Sequence, residues 1–314
     1  MSVVQRLMQS AEPAIRLQVA CDPLGKLPDH DDVRTLREQV RTGARVATLL
    51  RERDAAGRIQ HHPYSAKWYG AHWVLVALAE LFYPAGDESL VALRDQMMGW
   101  LFSDDYLRRT GRVHGLPTLH ASIDGNAVWS ALSLGIPGER TEQLVQRLLD
   151  TQWPDGGWNC DRRATGRSSS FTESLIPLRA LALHAQVTGD DRSRRAAERA
   201  SEFFLVHRLF RRRHDGRVIA PSYLQLHYPC YWHYDILFGL EVLAEAGHLQ
   251  DSRCAEALDV LRAKTLPDGG FPAEHRYYQC GPRATGQRSL VDWGPTSVRR
   301  MNEWVTARAL KVLQ

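Results

Sequence analysis

The chain has 314 residues, of which 44% are apolar and 24% charged, with nine Trp, ten Tyr and eight Phe; this is enough apolar side chain for a full core and excludes intrinsic disorder. The net charge of +4, from 40 basic and 36 acidic residues, lacks the basic excess of a nucleic-acid-binding protein. No apolar run approaches the roughly 18 residues of a membrane span, and Met1-Ser2-Val3-Val4-Gln5-Arg6 has no apolar signal core, so the expectation is a cytoplasmic protein with no integral membrane segment and an open oligomeric state.

Helical periodicity runs nearly throughout, with Gly and Pro clustered between helical stretches. A leading helix is expected within 1–20. Further helices are expected at 33–53, 69–83, 89–102, 126–134, 141–151, 173–187, 192–209, 234–246, 252–264 and 302–313. Five connecting segments carry a similar turn: Gly57-Arg58-Ile59, Gly111-Arg112-Val113, Asp155-Gly156-Gly157-Trp158, Asp215-Gly216-Arg217-Val218 and Asp268-Gly269-Gly270-Phe271. Their leading glycines are 54, 45, 60 and 53 residues apart, the mark of an internal repeat. A charged amphipathic helix precedes each turn and a more apolar helix follows it. An amphipathic helix covers a surface, whereas one apolar on most sides is enclosed. The pattern predicts one all-α domain over 1–314, an α/α toroid of about five helical hairpins, with 1–31 as N-terminal helix and lead-in.

Gln152-Trp153-Pro154-Asp155-Gly156-Gly157-Trp158 and Leu266-Pro267-Asp268-Gly269-Gly270-Phe271 resemble the QW-type repeat of squalene–hopene cyclases, terpenoid cyclases and protein prenyltransferase β subunits. In such a turn the glycine pair permits the bend, the Asp caps it and the aromatic fills the gap between hairpins. With His62-Pro63-Tyr64 through Gly70-Ala71-His72-Trp73, Ser170-Phe171-Thr172-Glu173-Ser174-Leu175 and His227-Tyr228-Pro229-Cys230-Tyr231-Trp232-His233-Tyr234-Asp235, nearly the whole chain looks like a bacterial group of short squalene-cyclase-like or prenyltransferase-like proteins. The resemblance implies the fold more firmly than the reaction.

Superposing the enclosed helices on their small-apolar steps (Ala77-Leu78, Ala131-Leu132, Ala180-Leu181, Val242-Leu243, Ala309-Leu310) brings Gly70, Asp124, Glu173, Asp235 and Asn302 to one level. His72, Asn126, His233 and Glu303 stand next to them. Capping accounts for any one of these at a helix start; three carboxylates at one repeat phase point to a site. In one reading Asp124, Glu173 and Asp235 include a general acid, its pKa raised by crowding and burial, with His72 and His233 adjacent. The resemblance then implies an enzyme like the terpenoid cyclases, performing acid-type or electrophilic chemistry on a small hydrophobic or isoprenoid-like substrate. Trp68, Tyr69, Trp73, Trp129, Phe171, Tyr231, Trp232, Tyr234, Trp293 and Trp304 would line the cavity through their π faces, or simply pack between helices.

In the other reading a divalent metal, Zn²⁺ or Mg²⁺, is held by His72, His120, His233 and the carboxylates, with Cys160 or Cys230 as a thiolate ligand to zinc. Cys230-x-x-His233 spans one helical turn. This gives a metal-dependent lyase or hydrolase; a non-catalytic binding module is the third possibility. The five cysteines include no CxxC pair, which argues against a disulfide framework.

Neither relative's catalytic set carries over intact. The D-x-D-D acid motif of class II terpene cyclases has its only match in Asp29-His30-Asp31-Asp32, which reads as a helix N-terminus. The prenyltransferase zinc pair has no counterpart Cys in 170–174 and no His in 301–304. Arg208-Leu209-Phe210-Arg211-Arg212-Arg213 reads as a solvated helix end, remote from the cavity, and matching Arg-Ala-Thr-Gly segments at 163–166 and 283–286 read as a shared loop or an anion clamp.

Overall fold

A computed structural model describes residues 1–281 and 286–314; the Arg-Ala-Thr part of the second Arg-Ala-Thr-Gly segment lies outside the described residues. The chain is mostly helical, with little strand. Pro13 decides the first elements. It has no N–H to donate and disfavours helical dihedrals at the preceding residue. The single helix expected over 1–20 is therefore two, α1 (Val3–Leu7) and α2 (Pro13–Cys21), with Glu12 extended between them and its side chain accepting from the Ala14 N–H. The helix expected over 33–53 likewise stops and restarts around the extended Gly43, as α3 (Asp31–Arg41) and α4 (Ala44–Leu50). Asp31 and Asp32, expected as the N-cap of a helix starting at Val33, instead form the first turn of α3, and His30 is its N-cap.

The remaining helices are α5 (Ala71–Glu80), α6 (Val91–Leu101), α7 (Asp104–Leu107), α8 (Ala121–Ser133), α9 (Glu139–Thr151), α10 (Phe171–Thr188), α11 (Asp191–Val206), α12 (Ile236–Glu245), α13 (Ala255–Arg262) and α14 (Glu303–Leu313). Buried and amphipathic helices alternate. In α5 every residue but Glu80 is buried, and α8 is buried from Ala121 to Ala131. By contrast α9 buries only Thr141, Leu144, Val145 and Leu148, a stripe at helical spacing. Neighbours run α5 to α8, α8 to α10, α10 to α12, α12 to α14 and α14 to α2. One apolar cluster extends from Leu7 to Val312.

The closest approach in this series is between α8 and α10. A Cβ at Gly125 would lie 2.8 Å from the Pro177 nitrogen and 2.9 Å from the Ile176 carbonyl carbon, so the backbones meet there because glycine has no side chain. Helix α8 begins at Ala121, not Asn126 as expected, which puts Asp124 inside its first turn.

Four of the five turns share one construction: an Asp carboxylate accepts from a backbone N–H two residues on. Asp54 accepts from Ala56, Asp155 from Gly157, Asp215 from Arg217 and Asp268 from Gly270. Trp158 and Phe271 plug the two strongest turns and are buried. The turn at Gly111 departs from the pattern. Gly111–Val113 is a strand, β1, paired antiparallel with β2 (Leu116–Thr118), and the bend falls at His114 and Gly115, both with positive φ.

Away from the starts of the buried helices, the interior is ionic. Arg179 of α10 bonds Glu80 at 2.6 Å and Glu245 at 2.8 Å, and its guanidinium lies 3.8 Å from the Trp129 ring centre. Arg308 of α14 pairs with Glu241, and Lys311 stands 3.7 Å from Glu245. The residues lining a narrow cavity here include Gln18, Ala79, Trp129, Arg179, Glu241 and Arg308, from α2, α5, α8, α10, α12 and α14.

Candidate functional site

Three of the residues singled out in the sequence meet. His120, Cys160 and Glu173 each offer a ligand atom, and these atoms lie within 4.8 Å of one another. They come from three segments: His120 is the residue before α8, Cys160 follows the Trp158 turn, and Glu173 is in the first turn of α10. Glu173 is buried and oriented: one carboxylate oxygen accepts from the Ser122 backbone N–H at 2.9 Å, while the other stands 3.3 Å from His120 Nδ1. The His120 side chain is 41% exposed and Cys160 is half-buried, so the group is reachable from solvent. Burial, then the Glu173 carboxylate, pushes the Cys160 thiol up to about 12.

Asp124 lies near Glu173 but faces elsewhere. It has no exposed surface; it accepts from the Tyr106 hydroxyl at 2.7 Å and pairs with Arg147 of α9 at 3.3 Å. Burial raises its pKa to about 6, against the opposing effects of Arg147 and Tyr106. Asp235 caps α12 through the Phe238 N–H at 2.8 Å and holds the His227 N–H at 2.9 Å. The three carboxylates of one repeat phase therefore do not form a single group. Asp124 is turned to the amphipathic helix α9, and Asp235 is occupied as a cap.

A second set, His227, Cys230 and Asp235, also lies within 4.8 Å, and all three residues are buried. His227 was not singled out from the sequence. This set does not suit a dication, because Arg308 Nη1 stands 3.3 Å from Cys230 Sγ and both Asp235 oxygens already accept backbone N–H groups. The helical turn expected to join Cys230 to His233 does not form. Tyr231 has φ of 53° and breaks the helical run, and the His233 ring is stacked between Trp232 at 3.9 Å and Tyr277 at 3.4 Å. Burial pushes His233 down to about 3. His72 is wholly buried, pushed to about 3 by the same cause, and both its ring nitrogens lack a partner among the described residues.

The aromatic candidates divide. Trp68 stacks on Tyr231 at 3.7 Å and meets Trp73 edge-on at 4.5 Å. Phe171 packs among Phe203, Phe204 and Tyr234, and Trp304 stacks on Tyr228 and meets Trp293 edge-on. These are buried packing contacts. Trp129 belongs to the ionic region with Arg179, away from the helix starts. Asn126 donates to the Tyr231 carbonyl, Asn302 caps α14, and Glu303 accepts from Ser10. Tyr69 and Trp232 keep exposed surface. So does Tyr64, which the sequence reading did not select; it stacks on Trp100 at 5.5 Å and is close enough to Cys160 and Glu173 for their charges to act on its hydroxyl.

Arg212 and Arg213 are not remote from the helix starts. They border a hollow of about 450 Å³ together with Ser168, Ser169, Ser170 and Phe171, and the same three serines border a second hollow that contains Cys160. Among the described residues, no helix is long and apolar enough to cross a membrane. No protein-family model matches the chain, and neither a curated protein nor a solved structure does.

Proposed function

We propose that the chain is a metal-dependent lyase or hydrolase that holds one Zn²⁺ between His120, Cys160 and Glu173 and acts on a small hydrophobic substrate. The observation that carries the reading is the meeting of one imidazole, one thiol and one carboxylate within 4.8 Å, two of them open to solvent. A thiolate ligand favours zinc over Mg²⁺, and three protein ligands leave a fourth tetrahedral position free. A zinc ion there supplies a Lewis acid or a water of lowered pKa. The chain's own part is positional. Ser122 N–H holds one Glu173 oxygen, and the Tyr64 hydroxyl lies near enough to Cys160 and Glu173 to feel their charges.

The α/α toroid belongs to this proposal. It is supported by the alternation of buried and amphipathic helices, by the contact of α14 with α2, and by the cavity to which six buried helices each contribute. Acid-type cyclisation is the second reading. Its support is Asp124, whose pKa of about 6 suits an acid; its enclosure by Tyr106 and Arg147 makes the metal reading the stronger.

Metal analysis tests the choice. Protein purified without chelator, or reloaded with zinc, is expected to hold about one Zn²⁺ per chain, with Cys160→Ser and His120→Asn losing it while keeping their helical circular dichroism. Absence of zinc binding by the folded wild-type protein overturns the reading and leaves cyclase or binding module.

A further inference from the structure

Lys67 is a half-buried lysine with no anion beside it. Its Nζ lies 5.0 Å from the Tyr64 ring centre, 5.5 Å from Trp68 and 5.0 Å from Trp232. It makes no ion pair among the described residues, and burial alone lowers its pKa. Lysines are rarely withdrawn from water without a partner, and three ring faces offset only part of that cost.

The surroundings repeat the imbalance. Trp232 Nε1, an obligate donor, is buried without an acceptor among the described residues, and so is the whole imidazole of His72. His72 is near enough for the Lys67 charge to act on it. An ammonium, an indole N–H and an imidazole thus gather with no oxyanion among the described residues to receive them. Tyr64 bears on both groups, since its ring centre lies 5.0 Å from Lys67 Nζ and the charges of Cys160 and Glu173 act on its hydroxyl.

We propose that Lys67 is the anion-binding residue of the substrate site, receiving a carboxylate or phosphate carried on a flat apolar body that lies between Tyr64 and Trp232. The inference rests on the metal-dependent reading for what happens to the substrate, but not for its binding. The substrate is thus an organic oxyanion, not a plain hydrocarbon. Its charged end docks at Lys67 and its reacting part extends past Tyr64 toward His120, Cys160 and Glu173.

The test uses the full chain, with and without zinc, and three probes of similar shape: benzoate, phenyl phosphate and uncharged benzamide. Binding is read by saturation-transfer NMR on the probe's ring protons. One or both anions are expected to bind saturably at millimolar concentration, and benzamide more weakly by about tenfold or more, the worth of a charge-assisted hydrogen bond. Lys67→Met should lose that preference and Lys67→Arg keep it. Which anion binds better distinguishes carboxylate from phosphate substrates. The proposal is overturned if the wild type binds neither anion, if benzamide binds equally well, or if folded Lys67→Met binds the anions undiminished. Because this readout does not require zinc, anion binding without zinc uptake would sink the metal-dependent reading alone, and zinc uptake without anion binding would sink this inference alone.

Discussion

Glu173 and His120 are joined across two helices: Glu173 Oε1 stands 3.3 Å from His120 Nδ1, while Oε2 takes the Ser122 N–H of α8. The carboxylate is thereby fixed to the helix that His120 precedes. The approach of α8 to α10 at Gly125 keeps them in register.

That arrangement predicts a proton cost for metal binding. With its thiol pushed up to about 12, Cys160 is protonated at neutral pH and must lose the proton to bind zinc as thiolate. Calorimetric titration of the zinc-free protein in buffers of different ionisation enthalpy should show release of about one proton per zinc. Cys160→Ser should bind zinc at least about tenfold more weakly and release none.

Gly125→Ala tests the register. The added methyl would meet backbone atoms that cannot swing aside, with an expected cost of about 1–3 kcal/mol in denaturant unfolding. Because α8 and α10 carry the ends of the ligand set, zinc affinity should fall in the same variant. An unchanged affinity would mean that the site does not depend on this contact.

Two buried groups give opposite pH dependences. Asp124 has its folded pKa raised from 3.8 to about 6. The folded state therefore holds the extra proton, and stability falls as pH rises from about 4 to 6, by about 3 kcal/mol in total. His72 has its pKa lowered from 6.5 to about 3. Here the unfolded state takes the proton first, and stability is lost as pH falls below about 6.5, at up to about 1.4 kcal/mol per unit. Relative to wild type, Asp124→Asn should gain stability between pH 4 and 7.5, and His72→Phe should gain it as pH drops from 7 to 5. Denaturant midpoints at these pH values separate the two.

The ionic interior predicts a third asymmetry. Arg308→Met leaves Glu241 buried with the weaker influence of Lys311, 3.9 Å away, and of Arg179, and should cost about 3–5 kcal/mol. The double variant Arg308→Met with Glu241→Leu should recover most of that loss, since it removes both charges. If the double variant is no better than the single one, Glu241 is not the group that Arg308 neutralises.

Sequence alone placed most of the helices and turns and named His120, Cys160 and Glu173 among its candidates, because these readings depend on local pattern. It did not reveal their convergence. With α8 expected to begin at Asn126, His120 falls outside the expected helices rather than at the entry to one. The repeat phase grouped Asp124 and Asp235 with Glu173, but Arg147 and the His227 backbone, brought up from other segments, hold them apart. Arg179 and Arg308 sit within stretches that read as apolar, and their partners are distant in sequence. Lys67 and Tyr64 lay within the segment that carried the family resemblance, yet nothing local marks a lysine as unpaired.

The contact between α14 and α2 couples segments that lie far apart along the chain. Some 290 residues separate Pro13 from Glu303. At about 5–20 residues per second, tens of seconds of synthesis separate the two helices. Throughout that interval the part of α2 that α14 covers is without its partner, so the nascent chain must keep it from aggregating until α14 has emerged.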